Sequence, residues 1–246
     1  MPLLGPEHAR QVATTNSGEK ELKYRNFSIV ISKLRRLAFF TAVNIDGSTA
    51  HNPPRARHFT LDPRLPSELQ IGNGVYVNSD FDRGQLVRRL DPCWGAPVIS
   101  SQGNTDTMYL PNIAPWHKDL NVKSWNGIED AILSTVDERD LKISVFAGCV
   151  FREDDPIHPI TGFKVPMAFW KVVASISRDP GNEDRPVKLR ARAFIISQGH
   201  LVKSSEHLHN FSEKQESCQV TVEALERMTS LDFHKLKSGD SFKSME

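Results

Sequence analysis

Apolar, β-branched and aromatic residues gather in short runs along the chain, and each run predicts a strand. Phe27-Ser28-Ile29-Val30-Ile31 and residues 37–45 have this composition, which favours strands because branched side chains pack well on a pleated surface. The second run ends in Asp46-Gly47, a turn signal, and Lys33, Arg35 and Arg36 between the two runs read as a solvated turn in preference to a phosphate contact. Residues 141–151 are continuously apolar, as in a strand covered on both faces. Residues 165–174 and 189–196 are further strands, and Arg190 and Arg192, two apart in the latter, share one solvent-facing side. The Arg178-Asp179-Pro180-Gly181-Asn182 stretch between them is a turn.

Helical spacing is confined to two places. From Asn121, the residues Trp125, Ile128, Ile132 and Val136 recur on one face, and residues 222–228 form a short helix. Proline is frequent and periodicity absent from His51 to Gln70, which predicts an ordered surface loop. Residues 1–22 read as a flexible lead-in, residues 23–236 as one domain, and residues 237–246 as a polar tail. Strands before and after a helix-bearing centre, without βαβ rhythm, predict an α+β fold on an antiparallel-sheet core.

Composition narrows the classes of function. Thirty-one basic against 30 acidic side chains leave a formal net charge of +1, so binding of a polyanion requires a local basic patch. Cys93, Cys149 and Cys218 are too far apart for a Cys-x-x-Cys metal site, and reduced thiols are expected. Met1 to Lys20 lacks the apolar core of a signal peptide, and no run approaches the length of a membrane span, so the expectation is a cytoplasmic chain that does not enter a membrane. His207 and His209 have a spacing that a metal could use, but without a third ligand nearby an exposed polar loop is expected.

The chemistry gathers between Phe81 and Glu129. Asp82-Arg83-Gly84 is followed by Asp91-Pro92-Cys93-Trp94-Gly95, Asn104-Thr105-Asp106-Thr107, Asn112-Ile113-Ala114-Pro115 and then Asn121, Trp125 and Glu129. Each motif alone is a common turn or cap, but their order and spacing together resemble the DNA/RNA non-specific endonucleases, nucleases with a ββα-metal finger. The likeness spans roughly residues 24–235 and takes in Arg35 to Asn44 upstream and Val165 to Val173 downstream.

That resemblance implies a ββα-metal finger packed with helices on the sheet, and hydrolysis of DNA and RNA backbones with little sequence preference. It implies a Mg²⁺ or Mn²⁺ ion held by Asn121, with Glu129 orienting hydration water. Eight residues of α-helix separate these two by about 80° and about 12 Å, which suits one direct ligand and one acting through water. Arg83 is expected on the scissile phosphate, Asn112 as a brace, Trp125 as packing for the metal-bearing helix, and Arg57, Arg83 and Arg88 as substrate-binding cations. Family members often form homodimers, and an inhibitor protein is a further expected partner.

The chain departs from the family at Gln85, which stands where the motif Asp-Arg-Gly-His has its general base. An amide oxygen accepts a hydrogen bond but is hardly basic, and loss of a positioned base typically removes about 10²-fold to 10⁴-fold in rate. His58 and His117 lie near enough in sequence to be considered as replacements. Trp116 replaces a usual glutamine, either as core packing or as a stacking surface for a base, and Pro111 replaces a small hydroxyl residue. The readings that remain are a nuclease inactivated at Gln85, a natural variant of low activity, and a catalytically inactive protein of this fold that binds nucleic acid or a protein partner.

Overall fold

The computed structural model describes residues 1–120, 142–158, 161–177, 188–199, 201, 217–240 and 242. Its centre is a seven-stranded antiparallel sheet built from β2 (Leu22–Tyr24), β3 (Phe27–Ile31), β4 (Ala38–Asp46), β7 (Lys142–Val150), β8 (Ala168–Ser177), β9 (Lys188–Ser197) and β10 (Ser217–Val220). The strands lie in the order β10-β9-β8-β7-β4-β3-β2. The apolar runs of the sequence become the central strands, because residues buried on both faces need no polar alternation. Arg190 and Arg192 are exposed, with buried Ala191 and Ala193 on the opposite side.

The sheet separates two cores. One face carries Ile29, Val43, Val145, Ala147 and Phe169 beneath Leu86, Ile113, Ala114 and Trp116. The other carries Phe39, Trp170, Val172 and Ile195 beneath Val222, Leu225 and Phe233. Phe169 and Trp170 are both fully buried neighbours on β8, one in each core, as strand alternation requires. Gly148 is a point of close approach: a Cβ there would sit 2.5 Å from the Phe39 carbonyl oxygen.

The helix of residues 222–228 is found as Val222–Thr229, with the Thr221 side chain capping it by accepting from Ala224 N–H. Three expectations need correction. Residues 1–22 are not a flexible lead-in: β1 (Leu3–Leu4) pairs with β11 (Leu231–Asp232), and Val12 and Ala13 are buried. Small and polar residues dominate there, but their backbone groups find partners, as where Ala13 N–H donates to the Ile31 carbonyl at 2.8 Å. Residues 237–240 likewise belong to the body, since Asp240 accepts from Val222 N–H at 2.6 Å. Arg35 is neither solvated nor at a phosphate, because it forms a buried ion pair with Asp155 at 3.0 Å.

Outside the large sheet, β5 (Phe81–Gln85) and β6 (Ile113–His117) form a separate two-stranded antiparallel ribbon. Between them comes a helix, Pro97–Asp106. It carries no apolar stripe and buries Ser100, Gly103, Asn104 and Asp106, so hydrophobic periodicity does not mark it. Among the described residues no helix is long and apolar enough to cross a membrane. All three cysteines are free; burial raises their thiol pKa values, that of Cys93 to about 11.

Candidate active site

The β5–β6 ribbon pairs Phe81 with His117, Arg83 with Pro115 and Gln85 with Ile113. Alternation along β5 puts Phe81, Arg83 and Gln85 on one face, with Asp82 and Gly84 on the other. Gly84 is demanded by packing: a Cβ there would lie 2.2 Å from the Trp116 indole. Trp116 is 8% exposed, with its ring centroid 5.5 Å from that of Phe169, so it serves as core packing and not as an open stacking surface.

Arg83 is held along one edge and one face. Its Nε donates to Asn73 Oδ1 at 2.9 Å, while Asn73 Nδ2 donates to the Phe59 carbonyl at 2.9 Å. The guanidinium carbon lies 4.9 Å from the Tyr76 ring centroid and 5.8 Å from that of Phe59. Its two terminal nitrogens have no protein partner among the described residues, and such a fork matches two oxygens of a phosphate.

Gln85 is anchored through nitrogen. Its Nε2 donates to the Thr107 carbonyl at 3.1 Å and lies 3.9 Å from Met108 Sδ. The same carbonyl accepts from Asn112 Nδ2 at 3.0 Å, using its second lone pair. Asn112 is fully buried; its Nδ2 also donates to Val87 O and its Oδ1 accepts from Val87 N–H, both at 2.9 Å. One amide therefore fixes the chain leaving β5 and the carbonyl that orients Gln85.

The remaining motifs are ties between loops. Trp94 Nε1 donates to the Asn44 carbonyl at 2.6 Å, and Asp91 Oδ2 accepts from Arg88 N–H at 3.2 Å. Asn104 Nδ2 donates to Pro54 O at 2.8 Å, and Asp106 Oδ2 accepts from Arg25 N–H at 2.9 Å. Arg89 donates to Pro53 O at 2.9 Å and to Asn52 Oδ1 at 3.2 Å.

These ties frame a cleft of about 440 Å³ lined by Arg55, Asp82, Arg83, Gly84, Gln85, Arg88, Arg89, Leu90, Trp116 and His117. Four arginines face one carboxylate in it, which supplies the local positive field that the net charge does not. A groove of about 480 Å³ elsewhere, between Trp94, Lys142, Ile176 and Leu236, contains no arginine, so charge singles out the smaller cleft.

Of the expected site residues, Arg83, Gln85 and Arg88 meet in this cleft, and Asn112 lies directly behind it. Arg57 does not: it is exposed and outside the cleft walls. Arg55 does line the cleft, and it directly follows the anchored residues 52–54. His58 is exposed and not in the walls, whereas His117 is. Asn121, Trp125 and Glu129, and also His207 and His209, fall outside the described residues. Among the described residues no three His, Cys, Asp or Glu side chains converge as metal ligands. Arg55, Asn73 and Tyr76 were not marked by sequence, since none belongs to a motif and their loop has no periodicity.

The family model described as DNA/RNA non-specific endonuclease matches residues 4–239. A protein designated y4fB from Sinorhizobium fredii (strain NBRC 101917 / NGR234) is 36% identical over 212 residues, 80% of this chain and 31% of that protein. The mitochondrial nuclease EXOG of Mus musculus is 27% identical over 229 residues, 88% of this chain and 57% of its own length. Human mitochondrial endonuclease G is 34% identical over 71 residues, 29% of this chain and 22% of that one. The chain thus spans between about a third and somewhat over half of the first two relatives. A crystal structure of the EndoG/EndoGI complex shares the fold, with a TM-score of 0.64 at 17% identity, over 89% of this chain and 86% of that one.

Proposed function

Since the chain belongs to the DNA/RNA non-specific endonucleases, we propose that its arginine cleft binds the phosphodiester backbone of DNA and RNA and hydrolyses it slowly, with Gln85 limiting the rate. The observation that carries this is the convergence of Arg83, Arg88 and Gln85 in one cleft with Arg55, braced by Asn112. Phosphate contacts carry no base information, so little sequence preference follows.

Arg83 presents its terminal nitrogens to the phosphate and offsets the charge that grows in the transition state. Gln85 gives its N–H to Thr107 O, which leaves Oε1 as the atom that can orient a water. It cannot take that water's proton, since an amide oxygen is hardly basic. A histidine here would meet the same carbonyl: with its Nδ1–H donated to Thr107 O, Nε2 becomes a free base facing the cleft.

The ion this reading requires is a cation that keeps most of its water and takes one protein amide. Asn121 would hold that ion, Mg²⁺ or Mn²⁺, and Glu129 would order its hydration. When bound, the ion supplies charge stabilisation and a more acidic water. Residues 23–236 form the working domain in this reading. A homodimer and a protein inhibitor are the partners proposed; the neighbour of like fold was solved in an inhibitory complex.

The test is cleavage of plasmid DNA and of RNA in Mg²⁺. Gln85→His is expected to raise the rate by roughly tenfold or more, and Asn121→Ala should silence the restored protein. The second reading, a binding protein without activity, is favoured by Gln85 itself. It prevails if Gln85→His stays inert while the unaltered chain binds DNA tightly.

A further inference from the structure

Among the described residues the cleft contains one imidazole, and its hydrogen bonding specifies what it can do. His117 Nδ1 accepts the backbone N–H of Asp119 at 3.1 Å, while the Asp119 carboxylate stands farther off at 3.7 Å. In the neutral ring Nδ1 therefore provides the lone pair and Nε2 carries the proton. The ring is wedged edge-on against Phe81, centroids 6.2 Å apart, and its side chain is only 11% exposed. Among the described residues nothing accepts from Nε2.

Register gives its position relative to Arg83 and Gln85. His117 pairs with Phe81, two residues before Arg83 and four before Gln85, all on one face of the ribbon. At the rise of a β-strand, Arg83 is about 7 Å away along β5 and Gln85 about 13 Å. The second distance is too long for His117 to serve the water that Gln85 orients, and its lone pair is already engaged. The first is within the reach of consecutive phosphates on an extended strand.

We propose that His117 is a substrate-contacting hydrogen-bond donor, giving its Nε2–H to the phosphate next to the one held by Arg83, and is not a substitute base. This rests on the reading of the cleft as a nucleic-acid site. A neutral donor adds affinity without releasing counterions, whereas an arginine contact does both. The two can therefore be told apart by salt.

The experiment measures binding of a fluorescent single-stranded oligodeoxynucleotide at pH 8, without divalent metal, across a salt series. His117→Ala should weaken binding by roughly tenfold or more, the range of one hydrogen bond to a charged group, with the salt slope unchanged. His117→Gln, whose amide N–H reaches the place of Nε2–H, should restore affinity to within about twofold, and His117→Asn should not. Arg83→Ala should weaken binding and lower the slope by about 0.7.

If Arg83→Ala behaves so while His117→Ala binds like the unaltered chain, the His117 contact is wrong and the cleft stands. If His117→Ala lowers the slope as Arg83→Ala does, the contact is a charge and the neutral donor is overturned. If neither the unaltered chain nor Arg83→Ala responds to the oligonucleotide, the cleft reading itself fails and takes this inference with it. Nitrogen-15 NMR of the unaltered chain decides the tautomer without any variant: protonation at Nδ1 in place of Nε2 refutes the proposal.

Discussion

At Asn112 two backbone groups of Val87 and the carbonyl of Thr107 depend on one fully buried amide. Truncation to alanine leaves buried polar atoms without partners, each costing about 1–3 kcal/mol. Asn112→Ala is therefore expected to lower unfolding free energy by about 3 kcal/mol in urea titrations. It should also reduce cleavage in the Gln85→His background, because the carbonyl that orients position 85 loses its second tie. The residues of this kind were legible because their chemistry requires a particular side chain at a particular spacing. Arg55 and Asn73 were not, since any arginine or amide in an aperiodic loop looks alike until the anchors around it are known. Arg57 has the same charge and nearly the same place in the sequence, but the ties at residues 52–54 stop short of it.

Among the elements, the five inner strands of the large sheet could be read from apolar runs, since burial selects their residues, whereas the short edge strands β2 and β10 could not. The β5–β6 ribbon could not, because its strands carry aspartate, arginine, glutamine, glycine and proline for reasons of chemistry and close packing. Its glycine is a steric requirement of the diagonally placed tryptophan on the facing strand. Gly84→Ala should force the indole out of the core and cost about 3 kcal/mol, at the upper end of usual overpacking penalties, read as a lowered melting temperature. Replacing Trp116 by glutamine removes that ring, so Gly84→Ala combined with Trp116→Gln should be milder than Gly84→Ala alone. The helix of residues 97–106 was hidden for a different reason: its buried face is polar and spent on ties to loops.

Over the whole molecule, stability and pH are linked through Asp62, which clamps the loop of residues 51–70 to the sheet edge. Its carboxylate accepts from Tyr24 Oη at 2.6 Å and from Arg64 Nη2 at 2.6 Å, at 1% exposure. Burial alone would raise its pKa, but hydrogen bonds from Arg64 and Tyr24 outweigh that and hold it below the ordinary value. A carboxyl group depressed in the folded state stabilises it above the unfolded pKa, and that stability is lost as pH falls through the lower folded pKa. The melting temperatures of the unaltered chain and Asp62→Asn should thus differ most near about pH 6 and converge below about pH 4. A gap that persists in acid means that Asp62 acts by shape and not by charge.

Gln198, at the end of β9, is fully buried; its Oε1 accepts the backbone N–H of His117 at 2.8 Å, while its Nε2 donates to Pro166 O at 2.6 Å and Pro115 O at 3.2 Å. The strand bearing His117 is in this way latched to the large sheet by a side chain that solvent does not reach. A tilt of the ribbon toward a ligand must either carry β9 with it or tear the latch open, so the arginine wall moves with the large sheet and not as an independent flap.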